Sequence, residues 1–295
     1  MGKYAYIERK FSAGSAALIQ TANGIIREYQ SQGYVLTIRQ LYYQLVSRDV
    51  IANTLQEYKR VAGIFNDARL AGLMDWDAIE DRTRSFERRS RWQNGAHALQ
   101  SIASQFHMDM WDNQPVRPFV IVEKEALLGV FSRVCKEYDI PVLAARGYPS
   151  VSVVREFVVE DVLDTIDRGQ QVAIFHFGDH DPSGIDMSRD LQDRFNLFLE
   201  DNGEYEFTRC ALNMDQIDEL RPPENPAKAT DSRFIEYRKR FGNSSWELDA
   251  LPPAYLTDLV RNHIAPLIDD DAWEEKQQEI EDIKQRIIES SKGFE

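Results

Sequence analysis

Cysteine is scarce. The 295-residue chain has two, Cys135 and Cys210. That excludes a disulfide framework and any zinc-ligand pattern, and predicts two small core residues in a reduced compartment. Long apolar runs are missing as well: nothing approaches the ~20 residues that cross a bilayer, so no membrane partner is expected. The opening "MGKYAYIERK" has no apolar signal core, which predicts a cytoplasmic protein. It starts Met-Gly, but Tyr6 stands where a myristoylation motif needs Ser or Thr. There is no G-x-x-x-x-G-K-[ST] segment, so no nucleotide-driven motor is expected in this chain. There is no internal repeat and no low-complexity tract.

Positive charge is also short. The chain carries 35 Lys+Arg against 49 Asp+Glu, a net of −14. Taken whole, that opposes nucleic-acid binding. The distribution changes the reading. Residues 1–100 hold 14 basic and 10 acidic residues, a net of +4, and residues 101–295 hold 21 and 39, a net of −18. The first third could meet phosphates; the rest repels them unless a cation intervenes.

What is present falls into two patterns. Up to about residue 112 the period is helical. Ala16, Leu18, Ile19, Ala22, Ile25, Ile26 and Tyr29 form one stripe, and Gly33 ends that helix. Thr37 with Gln40 makes a capping box. The helix it starts has Ile38, Leu41, Tyr42 and Leu45 at i, i+3, i+4, i+7. Tyr42 is therefore in the core stripe, while Tyr43 lies about 100° round the helix, one turn from Arg39 and Ser47. Periodicity alone leaves Tyr43 open between a boundary tyrosine and one that meets a phosphate. In "YKRVAGIFNDARLAGLM" the buried set is Val61, Ile64, Phe65 and Ala68; Lys59, Arg60, Asn66 and Arg69 are outside. "GLMDWDAIEDRTR" (72–84) reads as a short wing. Helix, helix, wing is a winged-helix module, in which Lys59, Arg60, Arg69, Arg82 and Arg84 would face backbone phosphates of double-stranded DNA. "SFERRSRW" (85–92) reads as a basic helical stretch, and "WDNQPVRP" (111–118) as a linker between domains at 1–112 and 118–295.

After residue 118 short apolar runs alternate with amphipathic segments at about 125–138 and 152–168. The runs are "PFVIVEKE", "IPVLAARG" and "QQVAIFHFGDHD". This predicts an α/β domain with a parallel sheet flanked by helices. Ligands of such sheets sit past the carboxyl ends of the strands, where Glu123, Gly147, Asp179 and Asp181 fall. Converging carboxylates are natural Mg²⁺ ligands, and without a cation they repel and raise their own pKa values. The plainer alternative is an acidic turn whose aspartate caps a helix. His176 and His180 flank Asp179; a core role suits them better than ligation. The tail from Asp269 is an acidic helix with Trp273, Ile280, Ile283 and Ile287 on one face, to dock on its own domain or on a second copy.

Glu123 after one strand and "GDHDPSG" after a later one resemble the Toprim fold of topoisomerases, primases and certain nucleases. "ARGYPS" (145–150) and "WELDALPP" (246–253) resemble further elements of the topoisomerase VI A subunit, with Arg146 where that pattern has lysine. The family motif R-[DE]-x-[FY]-Y, laid on "RQLYY", puts its nucleophile on Tyr43 and its arginine on Arg39, with Gln40 in place of the acidic residue. The likeness covers about 35–85 and 118–253. The short stretch before Tyr43 resembles the free-standing mini-A proteins. The resemblance implies Mg²⁺ on Glu123, Asp179 and Asp181, and tyrosine-mediated DNA cleavage by a homodimer in which one chain's tyrosine works with the other's acids. It also implies an ATPase partner subunit, which this chain does not contain. Arg146, His180 and Glu247 are further site candidates. A hydrolytic Toprim nuclease and a non-catalytic DNA-binding regulator are the alternatives. The setting this implies is the cytoplasm of a bacterium or archaeon, or a virus, with the protein associated with the nucleoid.

Overall fold

The computed structural model describes residues 2–79 and 91–294. α1 (Ala13–Ser31) starts at Ser12, whose hydroxyl accepts from the Ser15 N–H, and it buries Leu18, Ile19, Ala22, Ile25, Ile26 and Tyr29. Gly33 then takes φ +79°, a left-handed turn that suits glycine. α2 (Ile38–Ser47) carries the expected capping box, with Thr37 and Gln40 satisfying each other's backbone N–H. α3 (Leu55–Leu70) is capped by Thr54. The three helices close over Leu36, Leu41, Leu45, Val61, Phe65, Ala68 and Met74.

The expected wing is not seen in what is described of it. Over 72–79 the chain is irregular, with one short turn at Trp76–Ala78. It is tied in by single bridges, Ala5 to Ala71 and Leu36 to Ile79. Among the described residues this unit has no strand pair longer than a bridge. Residues 80–84 of the wing, and 85–90 of the basic stretch, lie outside the described residues.

α4 (Gly95–Gln105) packs along α12 (Asp270–Ser291), so the acidic tail docks on its own chain. The segment 111–118 is not a free linker. Trp111 is fully buried, donates from Nε1 to the Tyr138 carbonyl at 2.7 Å, and meets the Trp273 ring edge-on at 5.4 Å. A tryptophan exposes too much apolar surface to sit in a solvated tether when a core is within reach.

The second half is built on four parallel strands, β1 (Val116–Val122), β2 (Val142–Ala144), β3 (Gln171–Phe177) and β4 (Tyr205–Ala211), in the order β2-β1-β3-β4. Both faces are covered, which is why the strand sequences read as continuous apolar runs. Val120, Val122, Phe175 and Phe177 face α5 (Leu128–Glu137) and α11 (Pro253–Ile264). Phe119, Ile121, Val172 and Ile174 face the opposite layer. That layer is α6 (Val151–Glu156), a wide turn at Phe157–Val162, α7 (Leu163–Asp167) and α8 (Pro182–Leu199). α9 (Met214–Leu220) follows β4. α10 (Phe234–Phe241) lies between the strands of a two-residue ladder, β5 (Asn225–Pro226) and β6 (Ser244–Ser245). The mixed α/β architecture with a helix-flanked parallel sheet is as the sequence predicts; β4, which mixes polar and apolar residues, was not foreseen. No helix among the described residues is long and apolar enough to cross a membrane.

Candidate functional site

In the order β2-β1-β3-β4 the succession of strands reverses between β1 and β3, the point at which sheets of this kind hold ligands past their carboxyl ends. Glu123 follows β1 and Asp179 follows β3 by two residues. Their backbones are tied, Glu123 N–H to the Phe177 carbonyl at 2.8 Å, and the Asp179 N–H donates to Glu123 Oε2 at 2.8 Å. Gly178 and Gly184 make this possible. A Cβ on Gly178 would lie 2.9 Å from Glu123 Oε2, and one on Gly184 would lie 2.3 Å from the Asp179 carbonyl. Asp181 caps α8, its Oδ1 accepting from Gly184 N–H at 2.7 Å with Pro182 at the first helical position. So the plainer reading of Asp181, a helix cap, holds for one of its oxygens.

Around these acids the structure adds residues the sequence did not single out. Lys124 reaches Asp179 Oδ2 at 3.0 Å and Asp249 Oδ1 at 3.0 Å, and also contacts Glu247. Arg39 crosses from α2 to Glu247 at 2.8 Å and Asp249 at 2.8 Å. Asp179 Oδ1 accepts from the Leu248 N–H at 2.7 Å. Two cations thus hold three carboxylates in a chain Tyr43–Arg39–Glu247/Asp249–Lys124–Asp179 that ties α2 to the sheet within one molecule. Arg209 lies behind. It donates to the carbonyls of Asp179 (2.7 Å), Gly184 (3.0 Å) and Gly178 (3.2 Å), and to Ser188 Oγ (2.8 Å), fixing the loop that bears the D-x-D pair. Lys124 was legible as a lone cation between two acids at a strand end and Asp249 within a quoted motif; Arg209 sits on β4, which the sequence did not announce.

The electrostatics follow from burial. Desolvation raises the Asp179 carboxyl well above the usual range, with Lys124 opposing and Glu123, Glu247 and Asp249 adding. Burial also raises Glu123. For Lys124 burial acts downward, but Asp179, Asp249 and Glu247 outweigh it and the ammonium ends above its usual value. Burial pulls Arg209 down to about 10.

The two tyrosines separate, though not as expected. Tyr42 is in the core, its hydroxyl bonded to Asn53 Oδ1 and the Thr54 carbonyl, both at 3.1 Å. Tyr43 was expected on the polar side and is instead 5% exposed. The outer side of α2 is covered by Ala250 and its neighbours, a partner that a helical wheel cannot reveal. The Tyr43 hydroxyl has no hydrogen-bond partner among the described residues. The ring lies beneath the Arg39 guanidinium at 5.6 Å and lines a cavity of about 250 Å³ with Arg39, Asn53, Tyr58 and Glu247. Burial, reinforced by Glu247 and Asp249, pushes its phenol up to about 12.

Glu123, Asp179 and Asp181 converge from two strand ends, and Glu247 joins them through Lys124. They do not form a finished cage: no group of three His, Cys, Asp or Glu among the described residues is set at ligand spacing. The donors still fit a hydrated Mg²⁺, which needs only one or two carboxylates beside water and substrate phosphate. Glu123 Oε1 and Asp181 Oδ2 have no partner among the described residues, and Asp179 Oδ2 is held by Lys124.

The side chains of Arg146 and His180 have other partners. Arg146 takes φ +54° and pairs with Glu125 at 2.5 Å. His180 is buried, bonded to the Tyr237 hydroxyl at 2.9 Å and ringed by Phe241 and Trp246, a core role. His176 is also core, bonded to Ser188 Oγ at 2.9 Å. On α3, Lys59 and Arg60 are exposed as expected, Arg60 paired with Glu57 at 2.6 Å. Arg69 is half-buried rather than exposed. It stacks over Trp76 at 4.6 Å and donates to the Trp76 and Ile79 carbonyls, fastening 72–79 to α3. Arg82 and Arg84 lie outside the described residues.

Compared with known proteins, the chain matches no family model and no curated relative.

Proposed function

We propose that the chain cleaves phosphodiester bonds in DNA with the help of Mg²⁺, through a Toprim-like acid site and a tyrosine on α2, in the manner of a topoisomerase VI A subunit. One observation carries the reading: Tyr43, Arg39 and the acids past β1 and β3 belong to a single connected cluster within one molecule, and not across two copies as the resemblance implies. Glu123 and Asp181 would hold the cation, with Asp179 completing the set as Lys124 yields. A bound Mg²⁺ would supply charge neutralisation at the scissile phosphate. Tyr43 Oη attacks phosphorus, an O–P bond forms, the phenol proton passes to solvent, and the P–O bond to the departing 3′ oxygen breaks with that oxygen taking up a proton. The product is a 5′-phosphotyrosyl link, which conserves the phosphoester and permits rejoining. Arg39 steadies the developing negative charge. Cutting both strands takes two copies of the chain, each contributing one tyrosine. An ATPase subunit would be needed only for strand passage.

The phenol's burial and its pKa of about 12 favour a second reading, in which water is the nucleophile and Tyr43 only lines the cavity. The test is incubation with DNA and Mg²⁺ followed by detergent. A covalent adduct lost in Tyr43→Phe supports transesterification. Cut ends that persist in Tyr43→Phe support hydrolysis. Binding without cutting leaves the regulator, and cutting that survives Asp179→Ala removes the acid site from both enzyme readings.

A further inference from the structure

The acidic part of the chain contains one basic stretch. Between 228 and 241 there are five basic residues, Lys228, Arg233, Arg238, Lys239 and Arg240, against Asp231 and Glu236, within a region whose net charge is −18. α10 carries most of it and faces α8 across a cavity of about 540 Å³. Two helical stripes line that cavity: Pro182, Ile185, Asp186 and Arg189 from α8, and Arg233, Glu236, Tyr237 and Arg240 at the same i, i+3, i+4, i+7 spacing, with Phe241 beside them.

The charges there are unequal. Asp186 is taken by Arg189 at 2.8 Å, Asp231 by Arg233 at 2.7 Å, and Glu236 by Lys239 at 3.0 Å. Arg240 makes no ion pair among the described residues; its guanidinium lies over the Phe241 ring at 4.9 Å. One surplus cation thus stands on an aromatic face, above an apolar floor of Pro182, Ile185 and Phe241. This is the chemistry of a nucleotide, a phosphate for the guanidinium and a flat base for the apolar wall. The position fits as well. Pro182 directly follows Asp181, and Ser183 Oγ donates to Asp231 at 2.9 Å, so the cavity adjoins the D-x-D turn.

We propose that the cleft between α8 and α10 binds one nucleotide of a single strand leaving the acid site, its phosphate on Arg240 and its base against Ile185 and Phe241. This deepens the phosphodiester reading and rests on it for the strand's course, but the cavity can be tested alone. Arg240 is exposed, so Arg240→Gln should fold.

Two measurements are made in EDTA. In the first, a fluorescent single-stranded oligonucleotide is titrated at several salt concentrations. Arg240→Gln should make the log–log salt slope shallower by ~0.7, the share of one phosphate contact on a single strand. In the second, thymidine 5′-monophosphate is added to labelled protein; the Ile185 and Phe241 amide signals should shift in the wild type and stay still in Arg240→Gln. An unchanged slope with no amide shift overturns the proposal, even if the protein cuts DNA. Arg240-dependent amide shifts in a protein that neither binds nor cuts long DNA uphold the nucleotide site and sink the phosphodiester reading. Displacement of the oligonucleotide by oligoglutamate in the wild type but not in Arg240→Gln overturns the nucleotide assignment in favour of an acidic peptide.

Discussion

Replacing Lys124 by Met removes the cation at the centre of the acid cluster while keeping most of the volume. Its ammonium lies 3.0 Å from both Asp179 and Asp249, whose side chains are 9% and 0% exposed. Without it Asp249 and Glu247 retain Arg39, but Asp179 keeps only the Leu248 N–H, with Glu123 beside it. Breaking a buried pair by deleting one partner costs about 3–5 kcal/mol, because the remaining charge is uncompensated. The expected loss in urea unfolding at pH 7 is in that range, followed by tryptophan fluorescence in EDTA. The sign of its pH dependence is fixed. The orphaned Asp179 carboxyl and Glu123 beside it have folded pKa values above their unfolded ones, so they bind protons more readily when folded, and the penalty shrinks as pH falls. Mg²⁺ should restore part of the loss, about 2.7 kcal/mol at a hundredfold excess over its Kd. A loss under about 1 kcal/mol would place the three carboxylates in effective contact with water and refute a buried cluster. A loss that grows as pH falls would refute the raised carboxyls.

Four other outcomes follow from single contacts. His176 is fully buried and its pKa is lowered to about 3 by burial, with Arg209 adding. Between about 6.5 and 3 the unfolded chain binds one more proton here than the folded one, so this site removes up to about 1.4 kcal/mol per unit of falling pH. Comparison with His176→Gln from pH 7 to pH 4.5 should give converging stability curves; parallel curves count against it. Tyr42→Phe deletes a buried hydroxyl with two acceptors and should cost about 1 kcal/mol in urea unfolding. Thr37→Ala removes half of the α2 capping box, and a loss of about 1 kcal/mol in the same assay is expected. Gly184→Ala sets a Cβ 2.3 Å from the Asp179 carbonyl, so a backbone must shift. It should cost about 1–3 kcal/mol or more in thermal unfolding and abolish any cleavage that Asp179→Ala abolishes.

The parts of the fold that local rules govern were legible. The α1 stripe, the Thr37 box and the Gly33 stop are patterns of adjacent residues and needed no tertiary knowledge. The first three strands declared themselves because both sheet faces are covered and their runs are uniformly apolar. β4 reads "YEFTRCA" and was missed; it pairs only with β3, at the sheet edge, and mixes polar with apolar residues. The site was half legible for the same reason. Strand ends announce Glu123 and Asp179, whereas Lys124 and Arg39 meet Asp249 only when residues 125 and 210 apart in sequence come together.

That long-range closure also corrects the view of Tyr43. A helical wheel supposes one buried face and one wet face. α2 is packed on both, against α1 and α3 on one side and against 246–250 on the other, so the polar side of the wheel became an interior seam. The seam is closed by Arg39, which cannot both hold Glu247 and Asp249 and meet an incoming phosphate with the same nitrogens. Its Nε and one terminal nitrogen are engaged, leaving the other terminal nitrogen for a ligand. A bidentate grip of the guanidinium on the phosphate attacked by Tyr43 therefore requires the seam to loosen by at least one of these bonds. Asp249→Asn should speed adduct formation if loosening limits the reaction, and should leave it unchanged if chemistry does; a slower adduct would mean that the Arg39–Asp249 bond positions the guanidinium rather than restraining it.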